Sequence, residues 1–333
     1  MKLIVFLGPS LPWAEARKLA PGARLCAPAR QGDVWRALQK RPRAIALIDG
    51  VFEAQPSVWH HELLDALDAG VAVFGAASMG ALRAAELASF GMIGIGRIYR
   101  WLQEGVIQDD AEVALLHAGR EQAFRALTLP LVNVRAAALE AQRQRLLTPL
   151  LARRLIESAG RIFYQERSWP AVLAQQKWPA PVRAKWGKLA LPDPKAEDAR
   201  ACLIEAARFA ASSAQLPVAP RVPEESSLVR RRRISAEIAT LQRRADLQGL
   251  ADAGLRRALL AGWARSLGLE PRPSDLAAAR LRVRGGLAAD VAERLAEDLA
   301  LERLMLDQAE RILPDGPGRG EALVAQSRLS RQR

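Results

Sequence analysis

Ser78 lies in a stretch whose small residues and spacing fit a nucleophile elbow, the sharp strand-to-helix turn that carries a catalytic serine. The elbow needs small residues two positions before and two positions after the serine, and Ala76 and Gly80 stand there. In this geometry the Ser78 hydroxyl emerges at the carboxyl end of the strand, and the amides of Met79 and Gly80 stabilise an oxyanion. The same residues also fit a plain helix N-cap at Ser78, a role that serine often fills. The pattern leaves both interpretations open.

Further side chains supply the groups that an acyl-transfer site needs beside a serine. His60 shares a predicted helix face with three leucines, which directs its ring toward the interior. There it acts either as a general base, with Asp49 or Glu62 orienting it, or as a half-buried structural histidine. Arg83, one turn into the helix after Ser78, either holds an anionic group of a substrate or pairs with Glu86.

The elements that must position these groups alternate between strands and helices along the first half of the chain. Four apolar runs have the length of buried strands, at residues 3–7, 23–26, 44–48 and 71–74. Helical stretches separate them, so we predict an α/β fold with an open, mostly parallel sheet flanked by helices and followed by a mainly helical C-terminal region. Ser10, Asp49 and Ser78 each follow a predicted strand, and we expect them on the one rim where such sheets bind ligands.

Two other segments contain residues that resemble parts of binding sites. The three glycines within residues 91–96 lack the order of a phosphate-binding loop, and we interpret this segment as a turn with close packing. An acidic stretch with Asp109, Asp110 and Glu112 leads to His117, but acidic residues are also favoured at a helix start by the helix dipole. No second cluster supports a metal site, so the sequence predicts neither a metal nor a cofactor.

Composition narrows the class of protein. The 333 residues have a formal net charge of +13, spread along the chain, which favours an acidic partner. Nucleic acid is a minor option, because arginines and aromatic residues are not interleaved. Cys26 and Cys202 are isolated and fit small buried side chains better than a disulfide or zinc site. No segment has the length of a membrane span, and we expect a cytoplasmic protein without membrane association.

The chain changes character along its length. We expect an α/β core over residues 1–135, a helical completion of that core over 136–210, a linker over 211–226, a helical C-terminal domain over 227–313 and a flexible tail over 314–333. The linker is expected because proline, serine and alanine replace the apolar pattern there.

With these residues in view, the chain resembles the TfuA-like family, the partner proteins of YcaO enzymes in peptide thioamide formation. The resemblance covers roughly residues 3–203 and is strongest in the block from Gly75 to Leu87. Other matching segments are residues 8–11, 32–33, 48–52, 58–62, 90–92, 109–114, 130–133 and 193–198. His61 departs from the pattern, because lysine is more usual at that position. No motif carries over after about Ser212.

The resemblance implies a role in sulfur transfer. Members of the family are understood to hydrolyse the C-terminal thioacid of a ThiS-like sulfur carrier. A bound YcaO enzyme then uses the released sulfide to convert a backbone amide of a precursor peptide into a thioamide. For this chain it implies a hydrolase with Ser78 as nucleophile or water-positioner and His60, oriented by Asp49 or Glu62, as its base. The expected substrate contacts are Ser10, Met79, Gly80 and Arg83. The alternative is a non-catalytic adaptor that binds a YcaO-like protein and its peptide substrate.

Overall fold

The computed structural model describes residues 2–51, 55–213, 228–229, 232–233, 236, 247–283 and 289–312. The chain divides into two compact units, Met1–Thr240 and Leu241–Arg333. The expected linker lies outside the described residues from residue 214 onward, as does the whole of the expected tail, 314–333.

A five-stranded sheet, parallel throughout, forms the centre of the first unit and confirms the α/β prediction. Its strands are β1 Leu3–Phe6, β2 Arg24–Cys26, β3 Ala44–Leu47, β4 Ala72–Ala76 and β5 Ile93–Ile95. They lie in the order β2-β1-β3-β4-β5. β1, β3 and β4 are buried on both faces, which explains their uninterrupted apolar sequences.

Helices cover both faces of the sheet. In the first unit they are α1 Trp13–Leu19, α2 Asp33–Leu38, α3 His60–Asp68, α4 Met79–Leu87, α5 Arg97–Gln103, α6 Leu131–Arg143, α7 Pro149–Gly160, α8 Trp169–Ala174, α9 Ala180–Trp186 and α10 Pro194–Ala211. α1 and α10 pack on one face of the sheet, and α2, α3 and α4 pack on the other. α6 to α9 share a separate core that contains Leu155, Trp178 and Trp186.

β5 corrects our interpretation of residues 91–96 as a turn. Ile93–Ile95 pairs in parallel with β4, Gly94 lying opposite Gly75. Glycine has low β-propensity, which hid this strand in the sequence. The expected close packing is nevertheless present: a Cβ at Gly94 would lie 2.2 Å from a ring carbon of Tyr99.

The sequence predicts a helix over residues 199–210, but α10 begins at Pro194, five residues before Ala199. Asp193 caps it by accepting a hydrogen bond from the Ala196 amide at 3.1 Å, and Pro194 stands in the first turn, where its missing N–H costs nothing. This early start places Lys195 on a helix rather than on the preceding loop.

The described part of the second unit is helical, with α11 Leu247–Ser266, α12 Pro273–Arg282 and α13 Ala289–Ile312. α11 packs on α13 through Ala261 and Leu301, and α12 packs on α13 through Ala279 and Ala300. No helix among the residues described has the length and apolar character needed to cross a membrane.

Candidate functional site

Ser10, Asp49 and Ser78 all lie at the carboxyl-terminal edge of the sheet, shortly after β1, β3 and β4. From β1 the chain moves to one side to form β2, and then crosses to the other side for β3, β4 and β5. The crevice between β1 and β3 is therefore the switch point where open α/β sheets bind ligands. Ser10 and Asp49 follow the two strands that flank this crevice.

Asp49 connects the loops on either side of the switch point. Its side chain accepts hydrogen bonds from the Gly8 amide at 2.8 Å, the Ser10 amide at 3.1 Å and the Ser10 hydroxyl at 2.6 Å. Asp49 is only 1% exposed, so these donors replace the water that a buried carboxylate loses. The structure thus pairs two of the residues that the sequence selected, Ser10 and Asp49.

The turn at Ser78 requires small residues because α4 begins directly against the sheet. A Cβ at Gly80 would lie 1.8 Å from the Leu47 carbonyl oxygen, and one at Gly75 would lie 2.2 Å from the Gly80 carbonyl oxygen. The chain reverses through Ala77, which has a φ of 65°, a left-handed conformation that is costly for a residue with a side chain. Ser78 is the N-cap residue of α4, but its hydroxyl accepts no hydrogen bond from the helix.

Lys195 is the partner of the Ser78 hydroxyl. Its Nζ lies 3.1 Å from Ser78 Oγ and 2.8 Å from the Val113 carbonyl oxygen. Both Ser78 and Lys195 are 3% exposed. Lysine is seldom buried to this degree, so a nearly dry amine in contact with a serine hydroxyl on the ligand-binding rim is a candidate functional group.

Burial lowers the pKa of Lys195 below its ordinary value of 10.5, because the charged ammonium loses its hydration. The carboxylates of Asp49 and Asp193 act in the opposite direction and stabilise the charged form. Lys195 is therefore more readily deprotonated than a surface lysine, and the neutral amine is a base in contact with an alcohol.

The helix start provides one of the two amides expected at an oxyanion site. The Met79 N–H has no hydrogen-bond acceptor among the described residues and lies at the positive end of α4. The Gly80 N–H donates to the Ile48 carbonyl oxygen at 3.3 Å. This bond corrects the expectation that the Gly80 amide is free to bind substrate.

His60 and Glu62 lie in different surroundings from those expected. The His60 side chain is 44% exposed, not directed to the interior, and its Nε2 lies 2.7 Å from Glu86 Oε2. Glu62 is buried and accepts hydrogen bonds from the amides of Gly32, Val34 and Trp59. Neither Asp49 nor Glu62 orients the His60 ring, and no hydrogen bond joins His60 to Ser78 in the part of the chain that the structure describes.

Glu62 has a structural role that the sequence did not reveal. It joins the start of α3 to the start of α2, whose first amides have no partner within their own helix. Burial raises the pKa of Glu62 to about 7, although the three N–H donors favour its ionised form.

A cavity of about 230 Å³ lies against the first turns of α4, although neither Ser78 nor Lys195 is among its lining residues. Its walls include Met79 and Ala114, the sequence neighbours of Ser78 and of Val113, the residue whose carbonyl binds Lys195. Arg83 also lines the cavity, and pairs with Glu86 at 2.6 Å while donating to the Val58 carbonyl oxygen.

The acidic segment after α5 is occupied by interactions within the protein. Asp109 caps a short 3-10 helix, Glu112 pairs with Arg135, and His117 Nδ1 contacts the Ala118 carbonyl oxygen. Among the described residues, no group of three or more histidine, cysteine, aspartate or glutamate side chains is arranged to hold a metal ion.

Lys195 is the site residue that our reading of individual residues missed. It is 117 positions from Ser78, and a lysine in the first turn of a helix ordinarily points to solvent. The available signal was the segment 193–198, which entered the family resemblance without a chemical role. Asp198 in that segment accepts hydrogen bonds from the Arg97 and Ile98 amides, both at 2.7 Å, and so caps α5.

Comparison with known sequences gives one finding beyond the geometry. Residues 49–168 match the profile of a protein family described as "TfuA-like protein". No curated protein matches the chain significantly. The matched region contains Asp49 and Ser78, but neither Ser10 nor Lys195.

Proposed function

Because the chain belongs to the TfuA-like family through residues 49–168, we propose that it acts with a YcaO enzyme in peptide backbone thioamidation. In this proposal it hydrolyses the C-terminal thiocarboxylate of a ThiS-like sulfur carrier, and the YcaO enzyme uses the sulfide on a precursor peptide. Ser78 is the nucleophile and Lys195 is its general base. Asp49 and Ser10 hold the neighbouring loop.

In the first step the neutral Lys195 amine takes the proton of the Ser78 hydroxyl across the 3.1 Å that separates them. The serine oxygen bonds to the thiocarboxyl carbon, and the negative charge that develops on the substrate is stabilised by the Met79 amide at the start of α4. The carbon–sulfur bond then breaks, and the Lys195 ammonium returns its proton to the departing sulfur. The products are hydrosulfide and an ester between Ser78 and the carrier.

In the second step a water molecule attacks the ester carbon, again with Lys195 as the base. The bond to the serine oxygen breaks, and this oxygen takes a proton from Lys195. The carrier leaves as a C-terminal carboxylic acid, which ionises and passes its proton through solvent to the hydrosulfide, and Ser78 regains its hydroxyl. The sum of the steps is one thiocarboxylate and one water converted to one carboxylate and one hydrogen sulfide, with no oxidant or reductant.

The observation that carries this proposal is the contact between the buried Lys195 amine and the Ser78 hydroxyl. A lysine base can activate a serine only if it is deprotonated, and burial of Lys195 favours that state. In this proposal the carrier's chain end enters the cavity lined by Met79, the residue that follows Ser78, and reaches the serine from there. Arg83 on the wall of that cavity can bind a thiocarboxylate if the substrate replaces Glu86, its present partner on the same wall.

The test is a sulfide-release assay with a purified thiocarboxylated ThiS-like carrier. The parent should release sulfide, and rapid quenching should trap the carrier as an ester on the chain. Ser78→Ala should abolish both. Ser158→Ala is a matched control, because Ser158 is also a buried serine but bonds only within the α6–α9 layer. His60→Ala should keep the parent rate within about threefold, since its ring bonds to Glu86.

Two results would count against the proposal in different ways. If Ser78→Ala releases sulfide at the parent rate, Ser78 is not the nucleophile. If the parent releases no sulfide and forms no ester, while a YcaO enzyme still depends on it for thioamide formation, the chain is the non-catalytic adaptor.

A further inference from the structure

Residues 148–191, which we name the basic lobe, contain α7, α8 and α9 and carry an unusual concentration of positive charge. Eight of these 44 residues are lysine or arginine, and two are glutamate. The basic lobe therefore has a formal charge of +6, nearly half of the +13 of the whole 333-residue chain.

Most of this charge faces solvent and lacks an acidic partner. Of the lobe's cations, Arg153 pairs with Glu157, and Arg167 is buried with its guanidinium on the Ala159 and Ile162 carbonyls. Six others are exposed and have no salt bridge to any described residue: Arg154, Arg161, Lys177, Arg183, Lys185 and Lys188. A surface of this kind produces a positive potential that attracts anionic partners and accelerates their association.

The basic lobe also adjoins the cavity against α4. Phe163 is 55% exposed on its surface, and its ring packs edge-to-face against that of Tyr164 with centroids 4.8 Å apart. Tyr164 is buried and forms part of the wall of that cavity. A protein seated on the basic lobe is thus one aromatic ring away from a cavity that is also lined by Met79, the residue after Ser78.

We propose that the basic lobe is the docking surface for an acidic protein, which it holds so that the partner's C-terminal segment enters the cavity. This inference rests on the proposed function, in which the partner is the sulfur carrier. A protein fits better than a nucleic acid, because the lobe's other rings are buried or half-buried, at Tyr164, Trp169, Trp178 and Trp186, and form no exposed platform for stacking bases.

The test reverses charge on the basic lobe and compares the result with an equal reversal elsewhere. The triple variant Lys177→Glu, Lys185→Glu and Lys188→Glu changes the net charge by six units. The control is Lys2→Glu, Lys18→Glu and Lys40→Glu, which changes it equally. These three exposed lysines precede β1, β2 and β3, at the amino-terminal rim, on the opposite edge of the sheet from Ser78.

Binding of the ordinary carboxylate form of an acidic ThiS-like carrier, measured by stopped-flow fluorescence at 50 and 300 mM salt, separates docking from chemistry. The lobe variant should associate at least tenfold more slowly than the parent at low salt and lose most of the salt dependence. Its KM for sulfide release should rise by a similar factor, with kcat within twofold. The control variant should stay within threefold of the parent.

Equal slowing in the lobe and control variants would overturn the inference, because only net charge would then matter. Association of the lobe variant at the parent rate would overturn the inference as well. If that variant still releases sulfide, the proposed function remains intact. Lobe-dependent binding without sulfide release would support the docking surface and count against the hydrolase. Displacement of the carrier by an equimolar double-stranded oligonucleotide at 150 mM salt would overturn the choice of a protein partner.

Discussion

Replacing Lys195 by methionine tests the proposed base most directly, because methionine keeps an unbranched side chain of similar length without a proton acceptor. A positioned general base contributes about 10² to 10⁴ in rate, which corresponds to about 3–5 kcal/mol of transition-state stabilisation. We therefore expect Lys195→Met to lower the rate of sulfide release by at least about 100-fold. Lys195→Arg should be equally impaired, because the arginine guanidinium stays protonated and cannot act as a base.

The structure also predicts that Lys195→Met remains folded. The substitution leaves the Val113 carbonyl and the Ser78 hydroxyl without the amine, at a cost of about 1–3 kcal/mol for each unsatisfied buried group. In return it removes the cost of keeping a titratable amine out of water, which is of similar size and opposite sign. The free energy of unfolding should change by no more than about 2 kcal/mol.

The pH dependence of stability identifies Lys195 independently of catalysis. The pKa of Lys195 is lower in the folded protein than its ordinary 10.5, so between the two values the unfolded chain binds more protons. The parent's free energy of unfolding should therefore rise with pH across that window, and this component should be absent from Lys195→Met.

Urea unfolding from pH 7 to 10.5, together with sulfide assays of the same samples, provides the measurement. If Lys195→Met releases sulfide within threefold of the parent rate while Ser78→Ala is inactive, Lys195 is not the general base. In that case the serine is activated by another group.

Three further predictions concern stability and can be checked by urea unfolding. The pKa of Glu62 is about 7 in the folded protein, whereas its ordinary value is 4.5, so the folded chain binds more protons between these two pH values. The parent's free energy of unfolding should therefore fall by up to about 3 kcal/mol as pH rises from 4.5 to 7. Glu62→Gln should flatten this decrease. Gly80→Ala should destabilise the protein by about 3 kcal/mol or more, since the added Cβ would overlap the backbone of β3. The control is Gly187→Ala, which should change the free energy of unfolding by less than about 1 kcal/mol because a Cβ there makes ordinary contacts. Asp198→Asn should lower the free energy of unfolding by about 1–3 kcal/mol, because the asparagine side chain is uncharged and has only one oxygen to accept from the two N–H groups at the start of α5. A change below about 0.5 kcal/mol would contradict this capping role.

The position of Ser10, Asp49 and Ser78 on one rim of the sheet could be predicted from the sequence, because all parallel strands end at the same edge. Once residues 3–7, 44–48 and 71–74 are identified as parallel strands, the residues that follow them must share one edge of the sheet. Ser10, Asp49 and Ser78 follow by this rule alone. The spacing around Ser78 also predicted the tight turn correctly, since Gly80 leaves no room for a side chain.

The partner of Ser78 could not be predicted in the same way. Strand order fixes edges, but it does not determine which helix crosses an edge, and α10 reaches it from more than a hundred residues away. The periodicity argument for His60 failed for a local reason. α3 begins at His60 itself, so that residue lies at the open end of the helix, where Glu86 and solvent are within reach, and not on the face packed by the leucines.

The distribution of the proposed site along the chain has a consequence for synthesis. Ser10 and Asp49 can meet once β3 has formed, but the amine that contacts Ser78 arrives only with α10, which is complete at Ala211. A nascent chain halted before residue 195 would contain all five strands, but it would lack both the helix that covers one face of the sheet and the amine that contacts Ser78. A cell-free system making this protein should therefore gain the proposed sulfide-releasing activity abruptly and late in translation, and residues 190–213 supplied as a separate peptide should restore that activity to a truncated chain.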